Sequence, residues 1–170
     1  MTDQIWLTQS FARDPGTVFD TVTTLAYWPL WYPATISVDT ERIGPAAPGD
    51  TALERVRVLG LSGRLHWTVV ESQRPSWFAI ETTSIDLPML RGAMFRIGYE
   101  LTPTPGGTRM IRTWRYDLPP ALAPLALLIR WHLTGESTRA LRRLERLVAR
   151  VPAQQITAHE HQVHAGDRVR

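Results

Sequence analysis

The chain has 170 residues, enough for one domain with a sizeable core. It has no cysteine, which excludes disulfides and thiolate metal sites. The net charge is only +3, and the nineteen basic residues, all arginine, are scattered over the chain rather than gathered in one stripe, so a nucleic-acid partner is not expected.

Arginine without lysine, beside abundant Ala, Leu and Pro, looks like the codon bias of a GC-rich bacterial genome and says nothing of function. The first twenty residues carry acidic and polar side chains throughout, unlike a signal peptide. The longest apolar run, Ala121 to Ile129, is too short to span a bilayer. A cytoplasmic protein, monomer or homodimer, is the expectation.

Residues 4–13 read as a first strand, with Ile5, Leu7 and Phe11 as candidate inward residues. Asp14, Pro15 and Gly16 turn the chain, and Asp14 is placed to cap a helix over 15–26 with Pro15 at its first position. That helix presents Val18, Phe19, Val22 and Leu25 on one side. Trp28, Trp31 and Tyr32, set between Pro29 and Pro33, form a single helical turn or a rigid loop that either plugs one end of the core or lines an opening.

Residues 36–43 predict a second strand, and Gly44, Pro45, Pro48, Gly49 and Asp50 a turn. Residues 51–60 alternate, with Ala52, Val56 and Val58 against Leu53, Arg55 and Arg57. Leu61 to Gly63 reads as a hairpin loop, followed by a strand over 64–73 with Leu65, Trp67 and Val69 on one side. After Arg74 and Pro75, residues 76–83 set Phe78 and Ile80 in phase. Residues 84–91 break the alternation and read as an apolar loop with Leu87, Pro88, Met89 and Leu90, either a lid or packing on the open end of the core. Residues 92–102 alternate cleanly with Phe95, Ile97, Tyr99 and Leu101 inward, and Pro103 to Gly107 is the turn. In residues 108–117 the phase that turns Met110, Trp114 and Tyr116 inward also turns Arg112 inward; the opposite phase makes it a surface arginine.

Residues 120–150 predict one long helix of roughly 45 Å, opened by Pro119 and Pro120 and stopped by Pro152. Leu122, Ala126, Ile129, Leu133, Leu141, Leu144 and Leu147 lie near one stripe, with Arg139, Arg142, Arg143, Arg146 and Arg150 off it. Thr134, Gly135 and Ser137 interrupt the stripe, either as an exposed break or kink, or as small residues that leave a space between helix and sheet. The order is strand, two helices, six strands, long helix: an α+β domain over 1–151, with a long helix laid across a curled antiparallel sheet. Residues 152–170 read as a polar tail, its His159, His161 and His164 solvated rather than metal-binding.

Several loose motifs occur in order: D-P-G-x-V-F-D at Asp14–Asp20, W-P-x-W-x-P at Trp28–Pro33, V-V-E-x-x-x-P at Val69–Pro75, Y-x-L-x-P…G-G-T-R at Tyr99–Arg109 and R-x-L-x-R-L in the last helix. With these the chain resembles the START-like helix-grip (SRPBCC) superfamily, in its bacterial polyketide cyclase/dehydrase and lipid-transport branch. The resemblance covers nearly the whole domain. It implies a cavity between sheet and helix that holds a hydrophobic small molecule, and no fixed catalytic set.

The candidate ligand-binding residues are Trp67, Phe78, Ile80, Phe95, Ile97, Tyr99, Met110, Arg112 and Trp114 from the sheet, Leu133 and Ser137 from the helix, and Trp28, Trp31 and Tyr32 at the mouth. Such a lining is mostly apolar with a few polar anchors, as small-molecule sites are. Tyr99, Tyr116, Ser137 and Arg112 are suited to orient a ligand carbonyl or carboxylate. A cyclase or dehydratase in the same cavity is the alternative, with His66, His132, Arg91, Arg112, Tyr99 and Glu136 as its few candidates. No cofactor or metal is expected, since paired carboxylates, a Ser/His/Asp order, a phosphate loop and a metal-spaced cluster are all missing from the sequence. Two surface readings stay open: the arginine face of the helix as an interaction module, and peripheral contact with anionic lipid through those arginines beside Leu122–Ile129.

Overall fold

The structure, a computed structural model, describes residues 2–58, 60–87 and 90–151. Strands β1 (Thr2–Phe11), β2 (Thr35–Asp39), β3 (Thr51–Val58), β4 (Leu61–Gln73), β5 (Trp77–Asp86), β6 (Met94–Thr104) and β7 (Gly107–Asp117) form one antiparallel sheet in the order β1-β7-β6-β5-β4-β3-β2. Helices α1 (Pro15–Thr23) and α2 (Trp28–Trp31) carry the chain from one edge strand to the other, and α3 (Ala126–Arg150) follows the sheet. This is the helix-grip arrangement that the order of elements predicts.

Local chemistry explains the elements. Asp14 caps α1: its Oδ1 accepts from the Thr17 backbone N–H at 2.9 Å and its Oδ2 from the Thr17 hydroxyl at 2.7 Å. On β6 and β7 alternate residues are buried, including Phe95, Ile97, Tyr99 and Leu101 on one strand and Met110, Arg112, Trp114 and Tyr116 on the other. Arg112 therefore faces inward. Register shifts at Thr35/Ser37, His66/Trp67 and Val69/Glu71 are β-bulges, which bend and twist the strands that grip the helix.

Several boundaries differ from the sequence expectation: the first helix ends at Thr23 rather than 26, with a 3₁₀ turn at Leu25–Tyr27 after it. The second strand ends at Asp39 rather than 43, because the chain turns on side-chain bonds: Thr40 Oγ1 donates to the Thr51 carbonyl at 3.1 Å and Arg42 Nε to the Pro45 carbonyl at 3.1 Å. The β3–β4 hairpin turns earlier than expected, since Val58 already pairs with Leu61, so Leu61 to Gly63 are strand residues. Ser84 to Asp86 are strand rather than loop, because the longer β4 supplies partners as far as Arg64↔Asp86. The bulge at His66/Trp67 is what breaks the alternation there. Of the apolar loop that follows, Leu87 is buried and Leu90 half-buried. Pro88 and Met89 lie outside the described residues, as does the expected tail at 152–170.

The long helix begins at Ala126, later than 120. Residues Pro120–Leu125 form 3₁₀ turns, in which Pro124 offers no N–H for an α-helical bond. α3 runs unbroken through Thr134, Gly135 and Ser137, so there is no break at the small residues. Its two halves differ. Ala140, Leu141, Leu144 and Val148 are buried in the core, whereas Ala126, Ile129 and Leu133 are only partly buried, and Leu127 (82 % exposed) and Trp131 (75 %) face solvent. The first half is held to β1 by Asp3, which accepts from Arg130 Nη1 at 2.7 Å and from the Tyr116 hydroxyl at 2.7 Å. No described helix is long and apolar enough to cross a membrane.

Candidate functional site: two chambers under the long helix

The first half of α3 is only partly buried, and a cavity lies between it and the sheet. Its outer chamber, ≈ 100 Å³, is walled by Val56 and Val58 of β3, Leu61, Leu65 and Trp67 of β4, Phe95 of β6 and Trp114 of β7. Leu87 and Leu90 close one side, and Leu122, Leu125, Leu128, Ile129 and Leu133 form the roof. Its few polar members are Tyr32, Glu54, His132 and Glu136 beside the two indoles. A smaller inner chamber, ≈ 20 Å³, is walled by Trp28, Trp31, Tyr32, Glu54, Trp67, Ile97, Tyr99, Arg112 and Trp114. The chambers share Tyr32, Glu54, Trp67 and Trp114, so they adjoin.

The inner chamber holds two buried charged groups. Glu54, 3 % exposed, accepts from the Thr35 hydroxyl on Oε1 and from Trp67 Nε1 at 2.7 Å on Oε2. Burial pushes its carboxyl above the usual carboxylate range, while those two hydrogen bonds and the charge of Arg112 pull the other way. Arg112, 1 % exposed, lies over the rings of Tyr32 (4.9 Å), Trp114 (5.2 Å), Tyr99 (5.4 Å) and Trp31 (5.8 Å). Such cation–π contacts stabilise a desolvated guanidinium and hold it in one place. Yet its Nε and Nη1 have no hydrogen-bond partner. Burial also pushes the Tyr99 hydroxyl up to about 12, against the opposing charge of Arg112.

Of the residues singled out in the sequence, Tyr32, Trp67, Phe95, Trp114 and Leu133 line the outer chamber, and Trp28, Trp31, Ile97, Tyr99 and Arg112 the inner one. Trp28 and Trp31 lie at the closed end rather than at the mouth. They are buried, and Trp28 is fixed by its Nε1 donating to the Val22 carbonyl at 3.1 Å and by an edge-to-face contact with Trp67 at 5.8 Å. Phe78, Ile80 and Met110 are fully buried in the core and line neither chamber. Ser137 is buried but lines neither; the space lies ahead of it, along residues 122–136. Tyr116 is committed to Asp3.

Among the candidates for proton transfer, His66 is exposed and Arg91 lies on the surface, while His132 and Glu136 reach the outer chamber. Glu54 was not anticipated. Its signal was parity: it lies between Ala52 and Val56 on the apolar face of β3, where a carboxylate is out of place unless partnered. Among the described residues no group of three or more His, Asp or Glu side chains is arranged to hold a metal ion.

Comparison with known proteins agrees with this architecture. The di-domain ARO/CYC BexL from the BE-7585A biosynthetic pathway superposes with a TM-score of 0.73 at 19% identity, over 89% of this chain and 51% of that one. TTHA0849 from Thermus thermophilus gives 0.72 at 14% identity, over 86% and 97% of the two chains. Ara h 8.0201 gives 0.68 at 14%, over 88% and 99%. At these identities the likeness is one of fold. No curated protein sequence matches the chain. The family described as polyketide cyclase / dehydrase and lipid transport matches residues 4–149, nearly the entire described domain, and the chain belongs to that family.

Proposed function

We propose that the chain binds a small hydrophobic molecule, polyketide-, lipid- or aromatic-like, between the sheet and the first half of α3. One observation carries this reading: the outer chamber is bounded by hydrocarbon on nearly every side, as a site for a small apolar molecule is. The family description supports it. Native mass spectrometry of the purified protein tests it. A co-purifying small molecule, or a stoichiometric complex with an added alkylbenzene, is the expected result. A protein that stays bare in both trials overturns the proposal.

A second reading, a cyclase or dehydratase using the same cavity, is favoured by Glu54, a buried carboxyl with a raised proton affinity at the junction of the two chambers. Glu54→Gln separates the two. It abolishes turnover if that carboxyl moves a proton, and only weakens affinity if it shapes the floor of a binding site.

A further inference from the structure

Seven buried side-chain polar atoms in the described structure have no hydrogen-bond partner, and their distribution is uneven. Five of them, Trp31 Nε1, Tyr99 Oη, Arg112 Nε and Nη1, and Trp114 Nε1, belong to residues that wall the inner chamber. All four residues are more than nine-tenths buried. Each of the five atoms can donate a hydrogen bond. The one carboxylate in the same wall, Glu54, already accepts a bond on each oxygen. The chamber therefore has a surplus of donors and a shortage of acceptors. Protein interiors seldom leave so many donors unpaired, because each costs the full desolvation of a polar group.

We infer that the inner chamber is a receptor for one electron-rich oxygen of the ligand — a ketone, enolate or phenolate oxygen — carried on a hydrocarbon body that fills the outer chamber. The inference rests on the ligand-binding reading above and narrows its ligand class. Volume sets the single oxygen: at ≈ 20 Å³ the chamber has room for about one water-sized group, which needs roughly 10–15 Å³. A carboxylate, with two oxygens, is too large. Charge sets the electron-rich character. Arg112 brings a full positive charge, and burial drives the Glu54 carboxyl towards its neutral form, which leaves that charge incompletely matched. The four rings around Arg112 hold its donors in position before the ligand arrives, so little ordering is left to do on binding.

Three probes of similar shape test this by ligand-observed NMR on the intact chain: propylbenzene, 4-propylphenol and 4-propylbenzoate. The phenol is expected to bind about tenfold or more tighter than propylbenzene, the ratio expected of a hydrogen bond to a charged group. The benzoate is expected to bind more weakly than the phenol. Arg112→Met is expected to remove most of the phenol's advantage. Tyr99→Phe, which keeps the ring and removes one donor, narrows the phenol-to-propylbenzene ratio. Equal binding of phenol and propylbenzene by the unaltered protein overturns the inference, as does tightest binding by the benzoate, or an advantage that survives both substitutions. Should Arg112→Met fail to fold, the unaltered protein and Tyr99→Phe decide the matter. If propylbenzene binds without preference for the phenol, only this inference falls; if no probe binds, the cavity reading falls with it.

Discussion

The two halves of α3 do different work, and paired truncations measure the difference. Leu144 is 0 % exposed within the core, whereas Leu128, on the same helix, is 51 % exposed and roofs the outer chamber. Leu144→Ala removes buried methyl groups and leaves a cavity, a change that costs about 2–5 kcal/mol in close-packed interiors. Taking about 3 kcal/mol, and roughly 2–4 °C per kcal/mol for a chain of this length, the melting temperature falls by about 6–12 °C. Leu128→Ala removes the same atoms from a site that is already half open, and its cost stays within about 0.5 kcal/mol, or about 1–2 °C. Its effect appears instead in binding. Loss of contact with a hydrocarbon ligand is worth about 1 kcal/mol, roughly fivefold in affinity. Thermal denaturation followed by circular dichroism, with propylbenzene affinity measured on each folded variant, separates the two. If Leu128→Ala melts as early as Leu144→Ala, the first half of α3 is packed core and the chamber beneath it does not exist.

Trp67→Phe deprives Glu54 of the bond to Oε2, leaving a buried carboxylate oxygen unpaired. It is expected to cost about 1–3 kcal/mol, read as a lower melting temperature, and to raise the Glu54 carboxyl further, read by carbon-13 NMR against pH. Asp3 is held down to about 2, from an ordinary 3.8, by its hydrogen bonds from Arg130 and then from Tyr116. The folded value lies below the unfolded one, so this stabilisation is complete above the unfolded value and disappears as pH falls through the folded one. Unaltered protein is therefore expected to out-melt Asp3→Asn at neutral pH, with the gap closing between pH 3.8 and about 2; a gap independent of pH refutes the pairing. Gly107 has φ 136°, and an added Cβ would clash with the Phe11 carbonyl oxygen. Gly107→Ala is expected to destabilise by more than the roughly 1–3 kcal/mol of backbone strain alone, and to raise amide exchange along β1 and β7. Unchanged exchange there counts against that contact.

Wherever one face of a strand meets the core and the other meets water, the sequence carries the structure plainly. In β6 and β7 a period of two names every buried side chain, and the same period turns Arg112 inward. β3 obeys the same rule, but its conspicuous Arg55 and Arg57 mark the wet face, and Glu54 on the dry face is easily passed over between them. Strand ends were less legible because they depend on partners. Ser84 to Asp86 become strand only because β4 extends to meet them. The position of the cavity along α3 was the least legible feature. Small residues at 134–137 suggest space at that point, but the outer chamber is roofed by Leu122, Leu125, Leu128, Ile129 and Leu133, ahead of them, where the helix is tied to β1 through Arg130 and Asp3. Residue size along the helix does not encode where the lining falls.

The pairing of β1 with β7, from Thr2↔Asp117 to Phe11↔Thr108, sets the pace at which the sheet can close. Among the described strands, the first in sequence sits at the edge of the sheet beside the seventh. Ile5, Leu7 and Phe11 therefore gain their ladder partners only through a contact that spans most of the described domain. Such non-local pairing slows folding relative to a helical protein of the same length, because the entropy of closing a long loop is spent before the ladder forms.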